Sequence, residues 1–207
     1  MNEYRIITLE EAGQLINALP HPAMKEAMLA HLDSFAEFVE DESSKIILYE
    51  GDVTLPYLAI KDDIVMVNGN LTVNGILEDA LEVNISLMLA LGNVTVQNLF
   101  TFSQLCIAGD LIVQNAIIAD STYDYSLHAG GDLKATLIIE ARHSFYVHGQ
   151  VAADHIYANH AAAPRGPLKP NLKNEDFIDA VNATDEPDLD KAMKKIMAGN
   201  SIIKNTN

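Results

Sequence analysis

Residues 67–75 read Val-Asn-Gly-Asn-Leu-Thr-Val-Asn-Gly, and residues 107–115 read Ile-Ala-Gly-Asp-Leu-Ile-Val-Gln-Asn. Each stretch contains a Gly, a short polar residue and then Leu. This pattern, with Asp, Asn or Gln second and Val or Leu third, occurs six times, starting at Gly51, Gly69, Gly92, Gly109, Gly131 and Gly149. The copies are 18, 23, 17, 22 and 18 residues apart. A period of this length without a helix-length apolar pattern is typical of β-solenoid coils.

Apolar residues recur at fixed distances from each Gly. The positions four before, two after and four after it are apolar in all six copies. The position seven after it is also apolar, as Leu58, Ile76, Leu99, Ala116, Ile138 and Ile156. Because side chains alternate between the faces of a strand, positions two apart share a face. These four columns are therefore predicted to form the interior of the stack.

The sequence predicts a mainly β protein: a single-stranded parallel β-helix of about six 17–18-residue coils over residues 45–160. Residues 1–44 are predicted to form an N-terminal helical cap, and residues 161–207 a Pro-containing linker with short C-terminal helices. The predicted helices run from the capping box at Thr8 to about Leu19, over 23–40, near Glu175–Val181 and near Asp188–Met197. A cap at the end of a solenoid prevents end-to-end stacking of its open edges.

Two further apolar columns are predicted to point outward and to need a cover. One lies three residues before each Gly: Leu48, Met66, Leu89, Cys106, His128 and Tyr146. The other lies eight residues after it: Ala59, Leu77, Phe100, Ile117, Ile139 and Tyr157. The terminal helices are expected to cover one column, which leaves the other for a homodimer or a partner.

The two longer intervals contain insertions that supply the candidate partner-binding residues. They span about 78–84 and 119–125, after the same part of the coil, and are predicted to emerge on one side, two coils apart. The candidates are Glu78, Asp79, Glu82, Asp120, Tyr123, Asp124 and Tyr125. Carboxylates beside exposed tyrosines suit a basic protein surface. The alternative is two tolerated loops on a solvated acidic edge.

Charge and composition limit the compartments and partners. The net charge of −16 disfavours binding to nucleic acid or anionic lipid and favours a basic protein partner, although it also serves solubility. No apolar run approaches the 18 or more residues of a membrane span, and the first residues lack the pattern of a signal peptide. One cysteine, Cys106, cannot form an internal disulfide. These features predict a cytoplasmic protein.

The chain shows no pattern that predicts catalysis, a cofactor or a metal site. Phosphate-binding glycine loops, the His-Glu-x-x-His motif and the hexapeptide repeat of solenoid acyltransferases are missing from the sequence. His143, His148, His155 and His160 cluster near the last coil and are interpreted as surface histidines. Cys106 is interpreted as a small apolar residue on a covered strand. The sequence therefore predicts a non-enzymatic protein.

The repeat form of residues 67–75 and 107–115 resembles bactofilins, bacterial polymer-forming cytoskeletal proteins that are right-handed β-helices of about six short coils. The resemblance covers Lys45 to about His160 and implies that architecture. The helical ends, the insertions and the segment 123–133 differ from bactofilins, which argues against polymerisation. That segment is similar to a stand-alone group of bactofilin-like proteins associated with bacterial toxin gene neighbourhoods.

Two functions follow from these observations. The first is a cytoplasmic bacterial immunity protein, which neutralises a basic toxin or effector domain by binding it through the acidic insertion side. The second is a structural scaffold that self-assembles through the ends of the solenoid, as bactofilins do. Cofactors are expected in neither.

Overall fold

The structure, a computed structural model, describes residues 4–40, 44–61, 63–79, 86–121, 124–159, 167–183 and 186–204. Before the coils lie β1 (Tyr4–Ile7), α1 (Leu9–Asn17), α2 (Pro22–Ser34) and α3 (Ala36–Glu40). The coil strands are β2 (Ile46–Glu50), β3 (Val53–Leu55), β4 (Leu58–Ile60), β5 (Ile64–Asn68), β6 (Leu71–Asp79), β7 (Leu87–Ala90), β8 (Val94–Thr101), β9 (Gln104–Ile107), β10 (Leu111–Asp120), β11 (Ser126–Ala129), β12 (Leu133–Ala141), β13 (Ser144–Val147) and β14 (Val151–Ala158). A 3-10 helix (Asn174–Asp176) and α4 (Leu189–Met197) follow.

The coil strands form two parallel sheets, which confirms the predicted β-solenoid of about six coils. Sheet A has the order β1-β2-β5-β7-β9-β11-β13, and sheet B the order β14-β12-β10-β8-β6-β3, with β4 also paired to β6. Each coil contributes a strand to sheet A and, after its Gly, a strand or strand pair to sheet B. The pairing is parallel throughout the coils, whereas β1 pairs antiparallel with β2 at the first edge.

The Gly corners stack so closely that a side chain does not fit at most of them. A Cβ atom on Gly92 would lie 2.5 Å from the carbonyl oxygen of Gly69. The hydrogen bonds of the residue after each Gly explain why the second position of the repeat is polar. From Asp52 to Asp132, its side-chain oxygen accepts the backbone N–H of the corresponding residue one coil later, at 2.8–2.9 Å. The repeat is therefore a ladder of side-chain hydrogen bonds that sets the spacing of the coils.

The interior matches the predicted columns except at two positions. The sets four before, two after and four after each Gly pack in one apolar core. In the set seven after Gly, Ile76 and Ala116 instead face outward, while Leu77 and Ile117 point into the core. The register shifts after Val73 in β6 and after Val113 in β10, where one extra residue forms a bulge within the strand. One extra residue reverses the alternation that follows, so the inward prediction for Ile76 and Ala116 and the outward prediction for Leu77 and Ile117 are both wrong.

The N-terminal helices cover the outer face of sheet A. Leu48, Met66, Leu89 and Cys106 pack against a layer formed by α1 and α2, including Ile16, Met24, Met28 and Leu32. Helix α1 begins at the predicted site, because the Thr8 hydroxyl accepts the Glu11 N–H at 3.2 Å. The segment predicted as one helix over 23–40 forms α2 and α3. These helices lie along the side of the stack, and β1 occupies the edge of the first coil in sheet A.

The C-terminal segment covers the outer face of sheet B. Phe100, Ile139 and Tyr157 pack against a second layer that includes Phe177, Val181, Met193, Ile196 and Ile202. Helix α4 matches its prediction closely, with the Asp188 carboxylate accepting the Lys191 N–H at 3.0 Å. The predicted helix near 175–181 is a single 3-10 turn. The chain therefore covers most of both outward columns itself, including most of the one that the sequence left for a second copy, whereas Tyr146 stays 46% exposed.

Candidate functional site

The two long connections begin and end at the same corner of the stack. Each joins the end of a sheet B strand to the next sheet A strand: residues 80–86 between β6 and β7, and residues 121–125 between β10 and β11. In the intervening and flanking coils, the connection at the same corner has only two or three residues, as at 102–103 and 142–143. Two strand spacings, about 10 Å, separate the long connections. We refer to this corner as the insertion corner.

Asp79 is a structural residue of the insertion corner. Its side chain is buried, 6% exposed, and points to the next turn of the stack. Its carboxylate accepts hydrogen bonds from the Thr101 hydroxyl at 2.7 Å, from the Ser103 N–H at 3.1 Å and from the Phe102 N–H. Burial raises the pKa of Asp79 to about 6, although the three hydrogen bonds act in the opposite direction. Asp79 therefore stabilises the short connection of the following coil, residues 102–103, by these hydrogen bonds.

Glu78 is half-buried beside Asp79 and belongs to the surface of the corner. The hydroxyl of Tyr57, on the preceding coil, donates a hydrogen bond to the Glu78 carboxylate. Burial, together with that hydrogen bond, raises the pKa of Tyr57 to about 12. Tyr57 is 48% exposed, so this pair offers an aromatic ring beside a carboxylate. Sequence reasoning placed Glu78 correctly at the corner but did not identify Tyr57 as its neighbour.

Asp120 and Asp124 lie at the second long connection and differ in their surroundings. Both carboxylate oxygens of Asp120 accept hydrogen bonds from the Arg142 guanidinium, at 3.1 and 3.0 Å. Arg142 itself has a φ of +65° at the tight turn of the next coil. Asp124 is exposed, whereas Tyr125 is half-buried at the border of the layer formed by α1 and α2. The remaining candidates, Glu82 and Tyr123, lie outside the described residues.

A spine of buried polar groups fixes the strands that start at this corner. The Ser103 hydroxyl accepts the Ser86 N–H at 3.1 Å and donates to the Ser86 carbonyl at 2.5 Å. The Gln104 side-chain oxygen accepts the N–H and the hydroxyl of Ser126, both at 3.1 Å. Sequence reasoning missed this spine, although Ser or Gln at the first position of successive sheet A strands, or one residue before it, is its signal. The spine fixes the points at which the connections enter sheet A.

Acidic residues are concentrated at the insertion corner. Residues 161–207 contain seven acidic and seven basic residues, so the entire net charge of −16 belongs to residues 1–160. Eight of the thirteen acidic residues between 46 and 159 lie in or beside the connections at this corner: Asp62, Asp63, Glu78, Asp79, Glu82, Asp120, Asp124 and Glu140. Lys61 and Arg142 are the basic residues in the same segments. The corner therefore carries an excess of negative charge even with Asp79 and Glu140 buried.

Histidines gather at a second place, a groove between α2 and the last strands of sheet A. The groove has a volume of about 980 Å³, and its walls include Glu26 and Ala30 of α2 and His128, Tyr146 and His148 of the coils. His128 stacks on Tyr146 with ring centroids 4.6 Å apart. The outward column signals this groove, because it changes from apolar residues to His128 and Tyr146 in the last two coils. The interpretation of surface histidines is wrong for His143, which is fully buried.

A second, polar cavity of about 990 Å³ separates sheet B from the end of the C-terminal segment. Gln97, Asn115, Thr136 and His155 line it from the coils, and Asn171 lines it from the linker. Asn171 also donates its N–H to the Ile156 carbonyl and accepts the Ile156 N–H, at 2.9 and 2.7 Å. This residue attaches the linker to the last coil, so one wall of the cavity has a structural role.

The described residues show few groups suited to chemistry. Cys106 is fully buried, as expected for an apolar position, and burial raises the pKa of its thiol to about 12. Over the described ranges, no three His, Cys, Asp or Glu side chains are grouped so as to hold a metal ion. None of the helices in these ranges has the length and apolar character needed to cross a membrane. Comparison with protein-family models, with curated proteins and with solved structures returns no match.

Proposed function

We propose that this chain is a non-enzymatic protein-binding module that neutralises a basic effector domain in the bacterial cytoplasm, as an immunity protein does. The insertion corner is its contact surface. The observation that carries the proposal is the coincidence, at one corner, of two long connections and most of the acidic residues of the coils. In repeat proteins, insertions on one face are often the binding face.

The proposed contact residues are those that remain accessible at this corner. Asp124 is exposed, and Glu78 is half-buried beside the exposed ring of Tyr57. A tyrosine next to a carboxylate suits a lysine- or arginine-rich surface, because the ring offers apolar area and the carboxylate pairs with the cation. Asp79, Asp120 and the polar spine support the surface from below. Glu82 and Tyr123 belong to the two long connections and complete the proposed contact set by sequence.

The corner is also suited to fast association. Its acidic residues attract a basic partner over distances comparable to the Debye length, about 10 Å at 0.1 M salt. We therefore expect binding whose association rate falls as the salt concentration rises. A basic nuclease domain has the complementary charge, and the insertion corner would compete with nucleic acid for the basic surface of such a domain.

The test is a binding measurement between this protein and the basic protein encoded by the adjacent gene. We expect a 1:1 complex by calorimetry and by size-exclusion chromatography. The double substitution Glu78→Lys and Asp124→Lys should weaken binding at least tenfold. Equal binding by this variant would exclude the insertion corner, and the lack of any complex with the adjacent gene product would contradict the neutralising function.

A matched control keeps the same change of charge on another face. Glu175 and Asp179 lie in the C-terminal segment, with side chains that are 75% and 96% exposed. Replacing both with Lys changes the net charge as much as the test variant does. Binding should stay within about twofold of the unmodified protein. A loss as large as that of the test variant would indicate a non-specific effect of net charge.

A second candidate function, a self-assembling scaffold, is favoured by the exposed residues at the first coil. Tyr4, Ile6 and Tyr57 are 61%, 60% and 48% exposed, and all three lie at this end of the stack. Association of copies through this end would bury them. Sedimentation velocity and electron microscopy at micromolar concentration separate the two functions, because filaments that Ile6→Lys abolishes support the scaffold. A monomer at the same concentration contradicts it.

A further inference from the structure

Helix α2 and strand β11 bring two histidine side chains together beside the groove between α2 and the last strands of sheet A. The Nε2 atoms of His31 and His128 are 3.4 Å apart, and their ring centroids are 5.1 Å apart with an interplanar angle of 67°. A tetrahedral metal ion about 2.0–2.1 Å from each imidazole nitrogen would place those two nitrogens about 3.3–3.4 Å apart. The ring separation also agrees, since two imidazoles aimed at one such ion have centroids about 5 Å apart.

We propose that His31 and His128 form a binding site for a divalent transition-metal ion of the kind that prefers imidazole, such as Zn²⁺, and that the ion fastens α2 to sheet A. Zn²⁺, Cu²⁺ and Ni²⁺ bind imidazole nitrogen well, whereas Mg²⁺ and Ca²⁺ prefer oxygen ligands. The two ligands come from residues 97 positions apart in the chain, so the ion would bridge the N-terminal helices and the fifth coil.

Neighbouring groups orient both imidazoles. The His128 ring is held by its stack on Tyr146, with centroids 4.6 Å apart. His31 projects from a helix that Met28 and Leu32 anchor in the apolar layer over sheet A. Preorganised ligands bind a metal ion more tightly, because less side-chain freedom is lost on binding.

An oxygen atom is available as a third, weaker ligand. The Ser126 hydroxyl lies 3.0 Å from the His128 Nε2 atom. The same hydroxyl donates its hydrogen to the Gln104 side-chain oxygen at 3.1 Å. With its hydrogen directed to Gln104, the Ser126 oxygen accepts the hydrogen of His128 Nε2, and an ion that replaces this hydrogen would meet the same oxygen lone pair. Water would occupy the remaining positions, which predicts an exchangeable ion rather than a closed structural centre.

A ring nitrogen binds a metal ion only when it carries no proton, so each neutral imidazole holds its one proton on Nδ1 when Nε2 binds the ion. The net charge of −16 further raises the local concentration of cations.

The test uses the full chain without an affinity tag, treated with EDTA and then titrated with ZnCl₂ in a calorimeter at pH 7.5. We expect one Zn²⁺ per chain with a dissociation constant in the micromolar range, and a rise in the melting temperature with zinc. His31→Ala and His128→Ala should each weaken binding at least tenfold. His155→Ala is the matched control, since His155 lines the cavity beside sheet B, and it should bind as the unmodified protein does.

A second readout keeps the inference testable if a variant folds poorly. In the unmodified protein, the ¹⁵N resonances of the His31 and His128 Nε2 atoms should shift on addition of Zn²⁺, while those of His155 stay in place. Zinc binding that leaves both resonances unchanged would overturn the proposal. Binding of undiminished affinity in His128→Ala, or no binding at 1 mM ZnCl₂, would overturn it equally.

Discussion

The carboxylate of Asp79 lies 2.7 Å from the hydroxyl of Thr101 on the next coil, and both side chains are buried. The same carboxylate accepts the N–H groups of Phe102 and Ser103, so one side chain serves three donors of the turn that follows. Although Asp79 was expected to contact a partner, its hydrogen bonds hold two coils of the stack together.

Asp79→Ala is expected to lower the free energy of unfolding by about 2–4 kcal/mol, because it leaves buried donors without an acceptor. Urea denaturation followed by circular dichroism measures the change. Asp124→Ala, at an exposed position of the same corner, should change the stability by no more than about 0.5 kcal/mol. Similar effects of the two substitutions would contradict the structural role of Asp79.

Gly92→Ala is expected to destabilise the protein by about 1–3 kcal/mol, because the new Cβ atom would lie 2.5 Å from a backbone oxygen that cannot move independently. Gly13→Ala provides the contrast. Gly13 lies inside α1, and no atom lies within 4 Å of a Cβ atom added there. This substitution should raise the stability by about 0.5–1 kcal/mol, since Ala restricts the unfolded chain more than Gly does. Denaturation midpoints in urea distinguish the two, and a stable Gly92→Ala would argue against close contact of the corners.

Acid is expected to destabilise the fold through the fully buried His143 and the half-buried His128. Burial lowers the pKa of His128 and of His143 to about 4, below the usual value of 6.5. At these two positions the unfolded chain therefore binds protons between pH 6.5 and 4 that the folded chain does not, and their contribution to the free energy of unfolding falls as the pH falls through that window, while the proton that Asp79 binds below pH 6 in the folded chain offsets part of it. Denaturation curves at pH 7.5, 6 and 5 measure this slope.

Substitutions test whether these two histidines cause the slope. His128→Gln and His143→Gln should each reduce the pH dependence, because Gln does not bind a proton in this range. His155→Gln, at the other face, serves as the comparison. A slope that is the same in all three variants would assign the acid sensitivity to other groups.

Phe177→Ala is expected to detach the C-terminal segment from the outer face of sheet B. The Phe177 ring is fully buried and meets the Tyr157 ring edge-on, with centroids 5.4 Å apart. Its loss should cost about 3–5 kcal/mol and should speed proteolytic cleavage within residues 167–204. Met197, 51% exposed, offers a control at which Ala should have little effect. Unchanged cleavage of Phe177→Ala would mean that the cover is held elsewhere.

The sequence predicts the coils well because the Gly corner is a local and repeated requirement. The closeness of Gly69 and Gly92 forbids side chains, and the following Asp or Asn must reach the next coil, so both constraints appear directly in the sequence. The outward facing of Ile76 and Ala116 could not be predicted in this way. The face on which they lie depends on one extra residue that forms a bulge within β6 and within β10, and the repeat does not show where in the coil that residue is accommodated.

The candidate site was predictable in position but not in detail. The two longer intervals between Gly residues follow the same part of the coil, and this places both connections at one corner. Whether a carboxylate there faces solvent depends on its neighbours in the next coil: Asp79 turns inward to the 101–103 turn, while Asp124 stays exposed. The meeting of His31 and His128 depends on where α2 packs, and no periodicity in the sequence determines that position.

The position of α2 also has a consequence for unfolding. In most solenoids each repeat contacts only its neighbours, so terminal coils open separately from the middle of the stack. Here α2 lies against β7 and β9, its residue His31 contacts His128 in the fifth coil, and its N-cap residue His21 contacts His148 in the sixth. No coil from the third to the sixth can open without disturbing this helix. The stack should therefore unfold in one cooperative transition, and hydrogen exchange in β13 should be nearly as slow as in β9.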